Sequence, residues 1–183
     1  MQLISYDNRL APLLIRNNLF ACLPPTTEQI ILLCIGSNRI NGDSLGPFVG
    51  TLLTGLYPQH LTVIGTLKEP LDATNLEKTV NRLDIPPSTC VLAVDGVIGM
   101  QSYVHTIAIR PGPLAAGSAL QKNLPAVGDV SIMGVMLEEN TELNELPYTN
   151  LHVVYQMARS IAAGIALTVR QRFSYETTAP VLV

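Results

Sequence analysis

Two aspartates stand where an α/β sheet would place its chemistry. Asp43 lies in the glycine-bearing segment Gly36-Ser-Asn-Arg-Ile-Asn-Gly-Asp43-Ser-Leu-Gly46-Pro47, and Asp95 opens the segment Asp95-Gly-Val-Ile-Gly99. Each segment follows a short apolar run. Two carboxyl groups held close together do not both ionise cheaply, because like-charge repulsion and loss of water favour keeping a proton on one of them. One can then give a proton while the other takes one, which is the requirement of general acid–base hydrolysis. The same oxygens can instead hold a divalent cation. Plain structural roles also fit: Asp43 as the cap of the helix that follows, Asp95 as a turn residue after a strand.

Around this pair stand further substrate-binding candidates. Gly36 and Gly96 are places where backbone donors can approach a substrate carbonyl. Asn38, and Glu69 and Asn75 from the loop that begins Gly65-Thr-Leu-Lys-Glu-Pro70, are polar side chains leaving strands on the same side. Other chemistries have less support. The three histidines, His60, His105 and His152, sit apart from other ligand types. Ser37, Ser44 and Ser102 lack a G-x-S-x-G elbow. The loop before Pro47 matches neither phosphate-binding glycine pattern. Cys22, Cys34 and Cys90 form no C-x-x-C pair, so a structural zinc site is unsupported. Their odd number and wide spacing fit inert thiols in a reducing compartment.

The elements that must position these residues can be read from apolar periodicity. Residues 30–35 and 89–94 are continuous apolar runs, suited to strands buried on both faces of a parallel sheet. Residues 61–65 and 130–137 read as further strands. Residues 103–109 read as a strand that, if it pairs with 89–94, must run antiparallel, since only a short turn separates them. Leu45, Val49, Leu52 and Leu56 form a helix stripe. Residues 8–22 and 75–83 read as shorter helices, the second with Thr74 and Glu77 as a capping box. Leu151, Val154, Ala158, Ile161, Ile165 and Val169 make the longest stripe, entered at Pro147 and Thr149 and closed by Arg170 and Arg172. Residues 111–128 read as a long loop and 174–183 as a frayed tail. Strands alternating with helices predict a single α/β domain over residues 1–183, with a mostly parallel sheet between helical layers.

Composition narrows the partners. The chain has 183 residues, 48% of them hydrophobic and 14% charged, with a net charge of −3. That supplies a sizeable aliphatic core. Three lysines and no basic stripe argue against nucleic acid. The longest apolar runs are too short for a bilayer, and the N-terminus lacks the pattern of a signal peptide. A cytoplasmic protein with no membrane partner is expected.

Several segments, in order, resemble one family. Cys34-Ile-Gly-Ser-Asn-Arg-Ile-Asn-Gly-Asp43-Ser-Leu-Gly-Pro47, the 65–70 loop continuing to Asn75-Leu-Glu77, Gly112-Pro-Leu-Ala-Ala-Gly117 with Asn123-Leu-Pro-Ala-Val-Gly-Asp129, and Leu151-His-Val-Val154 are similar to the YyaC-type sporulation proteins. The resemblance spans roughly residues 28–168. That family resembles the spore germination protease and, more distantly, the hydrogenase maturation proteases. It implies a three-layer α/β/α sandwich, phosphorylase/hydrolase-like. It also implies that Asp43 and Asp95 take the places of the germination protease's candidate catalytic aspartates. Acidic residues at matching places in the maturation proteases bind nickel, but 130–133 here reads Val-Ser-Ile-Met, without a histidine. No cofactor is expected, a divalent metal on Asp43 and Asp95 being the alternative. The expected function is a sporulation-associated peptidase-like hydrolase acting on a protein or peptide. The rival is a non-catalytic sporulation factor that binds a protein partner through the same cleft. Either allows a homo-oligomer.

Overall fold

The computed structural model describes residues 3–115 and 125–176. Strands β1 (Leu3–Ser5), β2 (Gln29–Cys34), β3 (Leu61–Ile64), β4 (Thr89–Gly99), β5 (Thr106–Pro111) and β8 (Val130–Glu138) build one six-stranded sheet. Its order is β1-β5-β8-β4-β2-β3. The run β8-β4-β2-β3 is parallel, β5 is antiparallel to β8, and β1 is antiparallel to β5. Helices α1 (Ala11–Cys22), α2 (Leu45–Leu53) and α4 (Leu151–Arg172) lie on one face. Helix α3 (Leu76–Val80) and a small hairpin of β6 (Leu114–Ala115) and β7 (Ala126–Val127) cover the other. The expected α/β sandwich with a mostly parallel sheet is therefore present, with a thinner layer on the α3 side.

Strand alternation assigns the two faces. Ile30, Leu32 and Cys34 of β2, with Cys90, Leu92 and Val94 of β4, pack under α1, α2 and α4. Ile31, Leu33, Val91 and Ala93 pack under α3 and the hairpin. Both faces are buried, which is why these strands are apolar without interruption. On α4 the expected stripe is buried from its second member on: Val154, Ala158, Ile161, Ile165 and Val169 are all inside, whereas Leu151, in the first turn, is exposed. Gly46 and Gly50, one turn apart on α2, rest on the backbone of Ile35 and Gly65, so that helix lies unusually near β2 and β3.

Several expectations need correction. The strand read as 89–94 runs on to Gly99, so Asp95 is inside β4 rather than beyond its end. The strand read as 103–109 is Thr106–Pro111 and pairs with β8 and β1, not with β4. Helix α3 is five residues long instead of nine, because only Leu76 of it is fully buried and little packing holds a longer helix. Its Thr74 is not a cap: the Thr74 hydroxyl and N–H both donate to Asp72 Oδ1, and Asn75 takes the cap position. Helix α4 starts just after Thr149, as expected, and its cap is Asn150, whose Oδ1 accepts from the His152 N–H. The loop read over 111–128 contains the β6–β7 hairpin; its residues 116–124, and 177–183 of the expected tail, lie outside the described residues. No helix among the described residues is long and apolar enough to cross a membrane.

Candidate functional site

Beyond β2 the chain turns sharply. Gly36 has φ +133°, a conformation L side chains rarely adopt, and a Cβ there would lie 2.0 Å from the Asp43 carbonyl oxygen. That oxygen accepts from the Ser37 N–H at 2.9 Å. The Ser44 hydroxyl reaches the carbonyls of Ser37, at 3.0 Å, and Ile40, at 2.8 Å. The loop thus closes on itself through the 3₁₀ turn Asn41–Asp43 and leads directly into α2. Ser44, not Asp43, occupies the N-cap position of that helix. Asp43 is 6% exposed.

Asp95 occupies a fork in the sheet. The β2–β4 register ends at Cys34↔Val94, whereas β4 stays paired with β8 as far as Gly99. Asp95 is the first residue of β4 to lose its β2 neighbour. It is 2% exposed and pairs with Met133 of β8. By the alternation along β4 its side chain belongs to the α3 face, with Ala93 and Met133, while Gly96 faces α2. From β2 the chain proceeds to β3 on one side, while β4 flanks it on the other. The strand order therefore reverses between β2 and β4, the place where open α/β sheets collect ligands.

The two aspartate-bearing segments meet through glycines. A Cβ on Gly96 would lie 2.5 Å from the Gly42 carbonyl oxygen. Only a residue without a side chain lets the Asn41–Asp43 turn settle on β4. Two acids are thus carried on touching backbone segments at the switch point, Asp43 from above the sheet and Asp95 from within it. Neither lacks a polar or electrostatic partner.

The other candidates are distributed differently. The Gly36 N–H donates to the Leu71 carbonyl at 3.0 Å, so in this state that donor serves the fold. Asn38 donates from Nδ2 to the Leu67 carbonyl at 2.8 Å and ties the first loop to the second. Asn75 is a clamp: its Oδ1 accepts from the Asp72 N–H and its Nδ2 donates to the Pro70 carbonyl, each at 3.0 Å. The Glu69 side chain is 81% exposed, 3.8 Å from Lys68 Nζ. Glu69 and Asn75 line a groove of about 280 Å³ at the edge of β3. Neither Asp43 nor Asp95 lines that groove.

Residues that sequence reasoning did not single out cover the Asp43 turn. A Cβ at Gly42 would meet Leu146 Cδ1 at 2.5 Å and Thr149 Oγ1 at 2.8 Å. Asn41 Nδ2 donates to the Thr149 carbonyl at 3.1 Å. The short helical segment Leu143–Tyr148 therefore sits over the 3₁₀ turn. Pro147 and Thr149 signal only a helix start in the sequence, and nothing local to them points at Gly42.

Among the described residues no three of His, Cys, Asp and Glu come together as a metal-ligand set. Cys34 and Cys90 are buried, as their apolar runs predict, and Cys22 is half-buried. Burial pushes the Cys34 thiol far up, and burial, with the Asp129 carboxylate and Cys22 adding to it, pushes Cys90 up to about 12.

The comparisons with known proteins agree with this architecture. The chain is 36% identical over 155 residues to the Bacillus subtilis (strain 168) protein described as "Uncharacterized protein YyaC", covering 84% of this chain and 76% of that protein. Its fold is similar to that of the [NiFe] hydrogenase maturation protease HycI from Thermococcus kodakarensis KOD1, with a TM-score of 0.50 and 17% identity, over 77% of this chain and 92% of that one. Residues 3–164 match the family model described as "Protein of unknown function (DUF1256)". The chain belongs to the DUF1256 family.

Proposed function

We propose that the protein is a peptidase-like hydrolase of spore development, acting on a protein or peptide, with Asp43 and Asp95 as its acid pair. The supporting observation is the seating of the Asp43 turn on the β4 backbone one residue from Asp95, Gly42 against Gly96, at the strand-order reversal. Buried carboxyl groups are expensive to maintain without a role. The protease-like fold and the resemblance to sporulation proteins supply the reaction class and the setting.

In this reading one carboxylate takes a proton from water as the oxygen attacks the substrate carbonyl carbon. The other carboxyl then protonates the departing amine as the C–N bond breaks. The side-chain-free face of Gly96 is already taken by the Gly42 carbonyl oxygen. Access requires the covering segment at Leu146–Thr149 to shift. The test is incubation of purified protein with an extract of sporulating cells, followed by mass spectrometric identification of new N-termini. New termini that vanish with Asp43→Asn support the proposal. The same termini from wild type and variant contradict it.

The burial of both aspartates favours a second reading. A protein that keeps the fold but captures a partner needs no solvent path to the acids, and Tyr148, 80% exposed on the covering segment, is the kind of aromatic a partner contacts. Partner capture unaffected by both Asp→Asn changes, without cleavage, would mark this reading as correct.

A further inference from the structure

A second concavity lies on the helical face. It measures about 700 Å³, within the range of ligand sites, and runs between the entry to α1 and the outer face of α4. Asn8 and Arg9 line one side, and His152, Tyr155, Gln156 and Arg159 form the floor, with Leu52 of α2 closing the other side. Arg9 and Arg159 are exposed, and among the described residues neither guanidinium forms an ion pair or hydrogen bond. One carboxylate, Asp7, also lines the cavity, and its Oδ1 accepts from the Ser5 hydroxyl at 2.6 Å. The cavity is therefore locally basic in a chain whose net charge is −3.

Unengaged guanidinium groups present planar arrays of donors that match carboxylates. The shape decides between a compact anion and an extended one. From His152 to Arg159 the floor of the groove follows two turns of helix, about 10 Å at about 1.5 Å per residue. An extended peptide rises about 3.3 Å per residue, so carboxylates three residues apart span the same length. Tyr155 lies on the same floor between His152 and Arg159, its ring held by an edge contact with Phe48. We propose that this groove docks an acidic segment of an extended peptide along that floor, with Arg159 at one end of the floor and Arg9 on the wall each holding a carboxylate. Antiparallel to β5, β1 runs in the same direction as β8, so it ends, and α4 begins, at the same end of the sheet as the Asp43 turn. The groove thus adds a substrate class to the function proposed above. It rests on that function only in taking the docked segment to be part of the substrate.

Fluorescence anisotropy tests the groove by itself. The probe is a labelled hexapeptide with two glutamates separated by two alanines, and the control carries glutamines in their place. Wild-type protein should bind the glutamate peptide saturably, more weakly as salt rises, and at least about tenfold more tightly than the control. Arg9→Ala and Arg159→Ala should each weaken binding about tenfold, with thermal melting unchanged. Arg159→Gln replaces the alanine variant should that one melt early. An Asp43→Asn/Asp95→Asn protein should bind as wild type does, so loss of hydrolysis and loss of docking are read separately. Absence of saturable binding, equal binding of the glutamine peptide, or undiminished binding by the double arginine variant overturns the proposal. Displacement of the peptide by an equal concentration of inorganic phosphate also overturns it, in favour of a compact-anion site.

Discussion

The Gly42 carbonyl oxygen lies 2.5 Å from the point a Cβ on Gly96 would occupy, so the two aspartate-bearing segments touch backbone to backbone. Asp43 and Asp95 are each one residue away from this contact. The contact exists only because Gly96 carries no side chain, while the absence of one at Gly42 leaves room for Leu146 and Thr149.

Gly96→Ala should therefore destabilise the fold. An added methyl meets a backbone carbonyl, which cannot rotate aside as a side chain would. Overpacking of this kind costs about 1–3 kcal/mol, or a melting temperature lower by about 2–12 °C for a chain of this size. Differential scanning calorimetry checks it. An unchanged melting temperature would mean that the Asp43 turn does not sit on β4.

Much of the fold was legible in the sequence because the signals are local. The continuous runs of β2 and β4 and the stripe on α4 each predict their element without reference to the rest of the chain. What escaped reading depends on distant partners. β1 has three residues, too few for periodicity, and exists through its pairing with β5. Gly96–Gly99 looks like a turn and is held as strand by β8. Asp43 and Asp95 were visible as residue types at strand ends. The Gly42–Gly96 contact, the Leu146 and Thr149 cover, and the cavity that Arg9 and Arg159 both line were not, since each joins segments far apart in sequence.

Asn150→Ala should cost about 1 kcal/mol, because it removes the side-chain acceptor of the His152 N–H at the start of α4. Thr149→Val keeps that cap and removes instead the Thr149 hydroxyl bond to the Leu146 carbonyl. Urea unfolding should show the first change as a lower midpoint with an unchanged slope. A stability equal to wild type would mean that the Asn150 side chain does not cap α4.

Alkaline pH should destabilise the protein through its buried thiols. Cys90 rises from an ordinary 9.0 to about 12 on folding, and Cys34 rises further. A raised thiol keeps its proton in the folded state while the unfolded chain releases it. The contribution to stability is complete below pH 9 and is lost as pH climbs toward 12. Denaturant midpoints measured across that window should fall, and Cys90→Ala should flatten the fall. An identical slope in the variant would exclude Cys90 as a source.

Asn75→Ala should act on the fold and leave chemistry alone. It removes two hydrogen bonds that close the 70–72 turn, about 1–2 kcal/mol together. Once hydrolysis is assayed, the rate should stay within about twofold of wild type, well under the tenfold that 1.36 kcal/mol of barrier represents. A tenfold loss at unchanged stability would instead put Asn75 in the reacting centre.

The central claim is that Asp43 and Asp95 act as one unit, and residues that act as a unit are strongly non-additive. The most direct measurement is the cleavage rate of Asp43→Asn, Asp95→Asn and the double variant on the same protein substrate. Each single change should remove as much activity as both together. Multiplying losses, a single variant as active as wild type, or a wild-type protein that cleaves nothing would contradict it.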